Sequence, residues 1–189
     1  MTRTYTLKKR AEQQAETRQR IVEAAVELHS TIGPAATTIS MIADKAGVQR
    51  HTFYAHFPDE RSIFMACSGH VYGQDPIPDG AAWRGIADGR ERRATALRTI
   101  YDWYGRNASL LSNVMRDVAH HPMVQEIQKT QVLPVIKLWN EVLGAKLSTK
   151  QRAMLALALS FYTWRTLTRD AGLKPAAAVD AMVAAIESA

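Results

Sequence analysis

The sequence predicts an all-α fold with a small N-terminal domain and a larger helical C-terminal domain. Apolar residues recur every three or four positions along most of the 189 residues, and no stretch shows the strict alternation of a half-buried strand. Glycine and proline stand between the periodic stretches, for example at 33–34, 47 and 58, where helices would end. We place the domain boundary after residue 57, which gives domains 1–57 and 58–189.

The first helix is predicted to start between residues 8 and 17 and to end at Gly33-Pro34. Its apolar stripe is Ile21, Ala25, Leu28 and Ile32. Ahead of it, residues 1–10 form a basic arm with four Lys or Arg residues and no acid. An arm of this kind can lie along phosphates or enter a minor groove. A disordered, solvated tail is the alternative.

A second, short helix is predicted to end at Gly47. One apolar face is formed by Ile39, Ile42, Ala43 and Ala46. Thr37 and Thr38 precede this face and can accept hydrogen bonds from the free N–H groups of the first turn. Glycine suits the left-handed conformation that ends many helices, since a Cβ would be strained there.

A third helix follows after two residues, which makes the pair a helix-turn-helix. Val48 is predicted to fill the angle between the two helices, and Phe53 and Phe57 mark the buried side of the third one. Pro58 ends it, and Asp59 can cap the next helix. A small helical hairpin with an ordinary solvated face would satisfy the same apolar spacing.

The outer face of the third helix is rich in hydrogen-bonding groups, which favours DNA recognition. It carries Gln49, Arg50, His51, Thr52, Tyr54 and His56. The N-terminal end of such a helix enters the major groove, where Arg50 can pair with guanine and Gln49 with adenine. Thr52, Tyr54 and His56 suit phosphates, and Ser40 offers a hydroxyl near the start of the preceding helix.

The residues Thr-x-Ile-x-x-Ile-Ala-x-x-Ala, followed by Gly-Val-x-x-x-Thr-Phe-Tyr-x-His-Phe-Pro, closely resemble the DNA-binding signature of the TetR family of bacterial transcriptional regulators. The resemblance covers roughly residues 16–65. It implies phosphate contacts for Thr38, Ser40, Tyr54 and His56, and positions near the bases for Gln49, Arg50 and Thr52.

Two positions depart from the family pattern. His51 stands where the family usually has a small residue or proline. Glu60 stands where a phosphate-binding lysine is common, and its charge would repel phosphate. Either Arg61 replaces that contact, or the contact is missing.

The C-terminal region is predicted to be helical to its end. A helix over about 60–73 is followed by a loop at 74–80, and apolar periodicity continues through 94–118. A longer helix over about 122–143 should be kinked by Pro134. Ser148 and Gln151 have the spacing of a capping box, which predicts a helix from 148 to about 170. Pro175 opens the last helix.

The last two helices are apolar on more than one face, which favours a homodimer through residues 148–188. A helix that is apolar nearly all round must be covered on several sides. A second copy of the chain could supply that cover, and the resemblance implies a C2 dimer that reads a palindromic DNA operator. A central position in a monomer core is the alternative.

The resemblance also implies an effector pocket in the C-terminal domain. The candidate lining residues are Trp103, Tyr104, Met115, His120, Phe161, Tyr162, Trp164 and Arg165. Packing without ligand contact is the alternative for each of them. If Arg165 is buried it needs an anionic partner, which could be Asp102, Asp117 or a ligand carboxylate. Methionine and aromatic residues together favour an apolar or aromatic small molecule.

Composition fits a cytoplasmic protein with an anionic partner. The net charge is +6, the isoelectric point is about 9.6, and Cys67 is the only cysteine. Cys67 lies in an apolar run and is expected in the core; a redox sensor would need a resolving partner. No transmembrane segment is predicted. His120-His121 lacks accompanying ligands, so neither a metal nor another cofactor is predicted.

These observations favour a DNA-binding regulator rather than an enzyme, because no catalytic constellation is present. The leading hypothesis is a repressor that binds its operator as a homodimer and is released by a small molecule. The alternative is an architectural DNA-binding protein without an effector, which would bind with little sequence preference.

Overall fold

The structure, a computed structural model, describes the backbone of residues 2–189 and the side chains from residue 7 onward. The chain forms two compact units. Unit 1 comprises Met1–Pro76 and Ser112–Ile127, and unit 2 comprises Ile77–Leu111 and Gln128–Ala189. Most of the described residues are helical and no strand occurs among them, which confirms the predicted all-α class. Unit 1 extends beyond the predicted N-terminal domain, because it includes residues 58–76 and 112–127.

The described residues form eleven α-helices. They are α1 (Thr2–Thr31), α2 (Ile39–Lys45), α3 (Arg50–His56), α4 (Glu60–Gln74), α5 (Gly89–Arg106), α6 (Ala108–Asp117), α7 (Pro122–Ile127), α8 (Leu133–Leu143), α9 (Thr149–Ala158), α10 (Phe161–Arg165) and α11 (Pro175–Ser188). Short 3₁₀ turns at Pro34–Ala36 and Gly80–Trp83 lie in the connections.

Helix α1 begins at Thr2, so the predicted start between residues 8 and 17 was wrong. Residues 2–20 contain no glycine or proline and are rich in helix-forming residues, and nothing in them ends a helix. Three residues of the basic arm, Lys8, Lys9 and Arg10, therefore lie on an exposed helix rather than a disordered tail. The side chains of residues 1–6, including that of Arg3, lie outside the described part of the structure.

The core of unit 1 is built mainly from the apolar faces of α1 to α4. Its fully buried side chains include Ile21, Ile42, Phe53 and Ile63. Ile32, predicted to join the stripe of α1, follows the end of the helix and is 36% exposed. Cys67 is buried in this core as expected, and burial raises the pKa of its thiol to about 12.

Pro134 interrupts the helix predicted over 122–143. Five residues, Gln128–Val132, form a π-helical turn between α7 and α8. Proline has no N–H to donate to the carbonyl four residues earlier, and its ring crowds that carbonyl. A π-helical turn is a common form of helix irregularity, and this one ends two residues before Pro134.

The single helix predicted from 148 to about 170 is wrong, because the chain breaks at Leu159-Ser160. Helix α9 starts at the predicted capping box of Ser148 and Gln151 but ends at Ala158. Ser160 then caps α10, accepting from the N–H of Tyr162 at 3.2 Å. A π-helical turn, Thr166–Asp170, follows α10.

Two tyrosines of α5 satisfy the carbonyl groups that the break leaves free. The hydroxyl of Tyr101 donates to the carbonyl of Ala158 at 3.0 Å, and that of Tyr104 donates to Leu159 at 2.7 Å. The last carbonyl groups of a helix have no partner within it, and leaving them buried without one is costly. The tyrosines thus stabilise the break, and burial raises the pKa of both hydroxyls.

Candidate nucleic-acid interface

The turn between α2 and α3 has the predicted glycine geometry. Gly47 has φ +65°, in the left-handed region, and its N–H donates to the carbonyl of Asp44 at 3.1 Å. The N–H of Val48 donates to Ala43 at 2.9 Å, which closes the end of α2. Val48 packs partly buried against the core, as expected. The angle between the helices is therefore set by backbone bonds and one apolar contact.

Two phenylalanines anchor α3 on its inner side. Phe53 and Phe57 are both 0% exposed, and their rings lie 5.8 Å apart. The guanidinium of Arg18 stacks over the ring of Phe57 at 4.7 Å. Asp59 caps α4, accepting from the N–H of Ser62 at 2.7 Å, so the chain turns immediately after α3. The position of α3 is thus fixed from behind and at its C-terminal end.

The outer side of α3 carries the predicted DNA-facing residues. Gln49, at the N-cap, and Arg50, His51 and Tyr54 are exposed, whereas Thr52 and His56 are half-buried. The hydroxyl of Thr52 lies 3.3 Å from Nε2 of His51. Tyr54 is 41% exposed, with its ring edge-on to Phe53. A short helix therefore offers donors and acceptors at the end that enters a major groove in helix-turn-helix proteins.

The start of α2 offers two further hydroxyl groups. Thr38 caps the helix as predicted, accepting from the N–H of Met41 at 3.2 Å, and it is exposed. Thr37 instead donates to the carbonyl of Gly33 at 2.8 Å, so its predicted capping role is wrong. Ser40 is half-buried in the first turn. Because a capping hydroxyl keeps its own proton, Thr38 can still donate to a phosphate.

Arg61 is exposed, but an ion pair already holds its guanidinium. Its Nε donates to Oε1 of Glu126 at 2.8 Å, and Nη2 lies 2.7 Å from the same oxygen. The hydrogen bond and the charge of Glu126 raise the pKa of Arg61. Exposed pairs of this kind are weak enough to exchange for a phosphate. Glu60 lies beside His121 at 3.6 Å, so this acid also has a neighbour within unit 1.

The sequence did not indicate a polar contact between α6 and the segment that precedes α2. Asn113, Arg116 and Asp117 bond to backbone groups of residues 30–35, more than 80 positions earlier in the chain. Their spacing of three and four residues places them on one face of α6. That spacing indicates a shared polar face in the sequence, but it does not identify the segment that this face contacts.

Three aromatic rings form a stack beside this contact in unit 1. Phe64 lies between His29 and His121, with ring centroids 4.9 Å and 5.0 Å away. His29 is 5% exposed, and among the described residues its Nε2 has no hydrogen-bond partner. Burial, with a smaller contribution from His121, lowers the pKa of His29 to about 4. His29 is therefore neutral at physiological pH.

The predicted effector residues are divided between the two units. Trp103, Tyr104, Phe161 and Trp164 are buried together in unit 2, with Tyr104 in ring contact with the other three. Tyr162 and Arg165 are exposed, so Arg165 does not need the anionic partner that a buried cation would require. Met115 and His120 belong to unit 1.

The buried cation of unit 2 is Arg93, which the sequence did not single out. It is 6% exposed and bonds to Glu187 on α11 through both Nε and Nη2. Asp117, suggested as a partner for Arg165, pairs with Arg116 in unit 1. Arg93 thus connects α5 to α11, and the carboxylate of Glu187 balances its buried charge.

An open groove of about 480 Å³ lies on unit 2. It is lined by Tyr101, Asp102, Gly105, Arg106, Trp164, Thr168, Arg169, Leu173 and Pro175. The guanidinium of Arg169 lies 5.6 Å from the ring of Trp164. Only Trp164 among the predicted effector residues contributes to this groove. Its lining combines apolar rings with charges of both signs.

The fold and the exposed polar face of α3 define a helix-turn-helix DNA-binding protein. A model of the bacterial regulatory proteins of the tetR family matches residues 21–67, which contain α2, the turn and α3. This match, the curated relatives and the solved structures all indicate the TetR family of transcriptional regulators.

The curated relatives match less than half of this chain. SrpR and TtgW, HTH-type transcriptional regulators of Pseudomonas putida, are each 41% identical to this chain over 75 residues. The matched residues are 38% of this chain, but only 35% of SrpR and 56% of TtgW. This similarity therefore covers less than two thirds of either relative's own length.

The solved structures share the fold of nearly the whole chain. NalD, the secondary repressor of the MexAB-OprM multidrug efflux pump in Pseudomonas aeruginosa, has a TM-score of 0.65 and 19% identity, covering 94% of this chain and 96% of its own. A TetR-like transcriptional regulator from Rhodococcus sp. RHA1 has a TM-score of 0.64 and 21% identity, with 90% and 93% covered. At such identities the likeness shows the fold alone. Within the described residues, no helix is long and apolar enough to cross a membrane.

Proposed function

We propose that this protein is a cytoplasmic repressor that binds a palindromic operator as a homodimer and is released by a small molecule. The observation that carries the proposal is the outer face of α3. Arg50 and Gln49 are exposed at its N-terminal end, and Phe53 and Phe57 hold the helix rigidly from behind. Arginine pairs bidentately with guanine and glutamine with adenine, so this end suits direct reading of bases.

Phosphate contacts would set the register of α3 on the duplex. Thr38 and Ser40 at the start of α2 and Tyr54 and His56 on α3 offer the groups for them, and Arg61 can join them by leaving Glu126. The exposed Lys8, Lys9 and Arg10 of α1 add positive charge, which favours an anionic partner without specifying its sequence.

Exposed apolar residues on unit 2 support a homodimer through residues 148–188. Leu157 on α9 and Tyr162 on α10 are 49% and 48% exposed. Large apolar side chains left in water are often covered by a partner surface. A second copy would also place a second α3 on the DNA, which a palindromic operator requires.

The groove on unit 2 supports an effector site. Leu173 and Pro175 provide apolar surface, and Asp102 and Arg169 provide charges that could orient a ligand. We infer that the ligand is an aromatic small molecule with a polar substituent. Of the lining residues expected from the sequence, only Trp164 belongs to this groove. A ligand that binds the released form tenfold more tightly shifts the DNA-binding equilibrium by about 1.4 kcal/mol.

The proposal is tested by selecting bound duplexes from a random pool with the full-length protein. A repressor of this kind should enrich a palindrome with half-sites about one helical turn apart. Enrichment without a consensus would favour an architectural DNA-binding protein instead. Measuring the mass of the protein–DNA complex on the selected duplex then shows whether two copies bind, as the dimer requires.

A further inference from the structure

Side chains of α6 hold the backbone that connects α1 to α2. Nδ2 of Asn113 donates to the carbonyl of Ser30 at 2.8 Å, and Nη2 of Arg116 donates to that of Ile32 at 2.9 Å. The N–H of Ala35 donates to Oδ2 of Asp117 at 2.9 Å. These are groups at and just beyond the end of α1, where the helix itself supplies no partners. We call Asn113, Arg116 and Asp117 the α6 latch.

The members of the α6 latch also bond to one another. Nε and Nη2 of Arg116 donate to the two carboxylate oxygens of Asp117 at 2.7 Å and 3.1 Å, and Nη1 donates to Oδ1 of Asn113 at 2.9 Å. Asp117 is 3% exposed, and the hydrogen bond from Arg116, followed by the one from Ala35, holds its pKa below the ordinary value. A two-pronged contact of this kind fixes orientation as well as distance.

Gly33 shows that the latch and the connection are fitted closely to each other. Its φ is +95°, a conformation that residues with a Cβ rarely adopt. A Cβ built on Gly33 would lie 2.0 Å from Nη2 of Arg116 and 2.7 Å from Oδ2 of Asp117. The guanidinium therefore occupies the space that a side chain would take, and the carboxylate lies at its edge.

Only three residues separate Ala35, the last residue that the α6 latch bonds, from the start of α2, and their backbone is also bonded. The hydroxyl of Thr37 donates to the carbonyl of Gly33 at 2.8 Å, and the backbone N–H of Thr37 donates to the carbonyl of Pro34 at 3.1 Å. Thr38 then caps α2. Since the turn at Gly47 fixes α3 relative to α2, the direction of the connection also sets the direction of α3.

We propose that Asn113, Arg116 and Asp117 are positioning residues for DNA recognition: without touching DNA, they set the orientation in which α2 and α3 are presented. The proposal rests on the function proposed above, because it concerns how well an operator is read. A latch that only stabilised folding would change the fraction of active protein. A positioning latch changes how well the folded protein distinguishes its operator from other DNA.

The test compares Asn113→Ala and Arg116→Lys with the wild type. Asn113→Ala removes the hydrogen bond to the carbonyl of Ser30. Arg116→Lys keeps the positive charge but loses the two-pronged contact of the guanidinium with Asp117. Arg98→Ala is the matched control, because Arg98 pairs with an exposed acid on α5 in unit 2. Affinity is measured for the selected palindrome and for an unrelated duplex. The ratio of the two should fall by between about twofold and thirtyfold in both latch variants, and stay unchanged in the control.

Base contacts demand stricter geometry than phosphate contacts, so a shifted α3 loses the operator before it loses other DNA. A ratio equal to that of the wild type in both latch variants would overturn the inference. Equal loss of both affinities would also overturn it, since that pattern reflects a smaller folded fraction. If the wild type itself shows no preference for any duplex, the proposed function fails instead.

A measurement without DNA keeps the inference testable in that case. Amide hydrogen exchange at residues 33–45 should be faster in Asn113→Ala than in Arg98→Ala, while exchange in the other helices of unit 1 stays the same. Unchanged exchange at residues 33–45 would overturn the inference, and so would faster exchange spread over the whole unit.

Discussion

Helices α3 and α10 are both short and carry aromatic residues one turn apart, yet the two regions use them differently. In α3, Phe53 and Phe57 fill the core, and the opposite face is left polar and exposed. In α10, Phe161 and Trp164 join an aromatic cluster beside a break in the chain, which tyrosines of α5 stabilise. Aromatic spacing alone therefore does not say whether a helix serves recognition or packing, since Tyr162 and Arg165 are also exposed on α10.

Removing the anchor of α3 should have the largest effect on stability. Phe53→Ala removes a fully buried ring, and we expect the free energy of unfolding to fall by about 3–5 kcal/mol because a cavity remains. Urea denaturation measures this change. Tyr54→Ala, on the exposed face of the same helix, should change it by less than about 1 kcal/mol. Similar losses in the two variants would mean that the two faces of α3 do not differ as described.

Acid should weaken unit 1 through His29. Its pKa of about 4 in the folded protein lies below the unfolded value of about 6.5, so the unfolded state binds more protons between these values. The free energy of unfolding therefore falls as the pH drops from about 6.5 to about 4, by up to about 3 kcal/mol. Below pH 4 the destabilisation that His29 causes stays constant, and above pH 6.5 it vanishes.

The contribution of His29 can be separated from that of the carboxylates. His29→Phe keeps a ring against Phe64 and has no proton to gain. Denaturation curves of the wild type and this variant, recorded from pH 7 to pH 4, should diverge as the pH falls. Parallel pH profiles would show that His29 is not buried as a neutral ring.

The break between α9 and α10 should be sensitive to one hydroxyl. Tyr104→Phe leaves the carbonyl of Leu159 buried without its donor, and we expect the loss of about 1–3 kcal/mol of unfolding free energy. Tyr54→Phe, which removes an exposed hydroxyl, is the control for stability. Operator affinity of the folded Tyr104→Phe protein should equal that of the wild type. Reduced affinity in the folded fraction would show that the break also serves recognition.

Arg50→Ala should have the smallest effect on stability, within about 0.5 kcal/mol, because its side chain is exposed. Its effect on recognition should be large: a loss of about 1–3 kcal/mol of specific affinity and a relaxed preference at one base pair. Footprinting titrations on the operator and on single-base variants measure both. Unchanged operator affinity and unchanged base preference would show that Arg50 does not contact the bases.

Features that depend on neighbouring residues could be predicted from the sequence. The left-handed Gly47, the cap at Asp59 and the capping box at Ser148 and Gln151 are all confirmed. Each rests on bonds within four residues, so the local sequence contains both partners. The burial of Phe53 and Phe57 was predictable for a similar reason, because one helical face must be apolar.

Features that depend on distant partners could not be predicted. The break after Ala158 requires tyrosines that lie 57 and 55 residues earlier in the chain than the carbonyls they bond. Arg61 meets Glu126 over 65 residues. The start of α1 was missed for another reason: the helix continues toward the N-terminus through helix-forming residues, of which residues 7–16 are exposed.

The only thiol of the chain belongs to Cys67, inside the core of unit 1. A thiol that is both shielded and held protonated does not react with alkylating reagents. Reaction requires a transient opening that brings the sulfur to solvent. The rate of alkylation therefore reports how often the DNA-reading unit opens, with no label added to the protein and no background from a second cysteine.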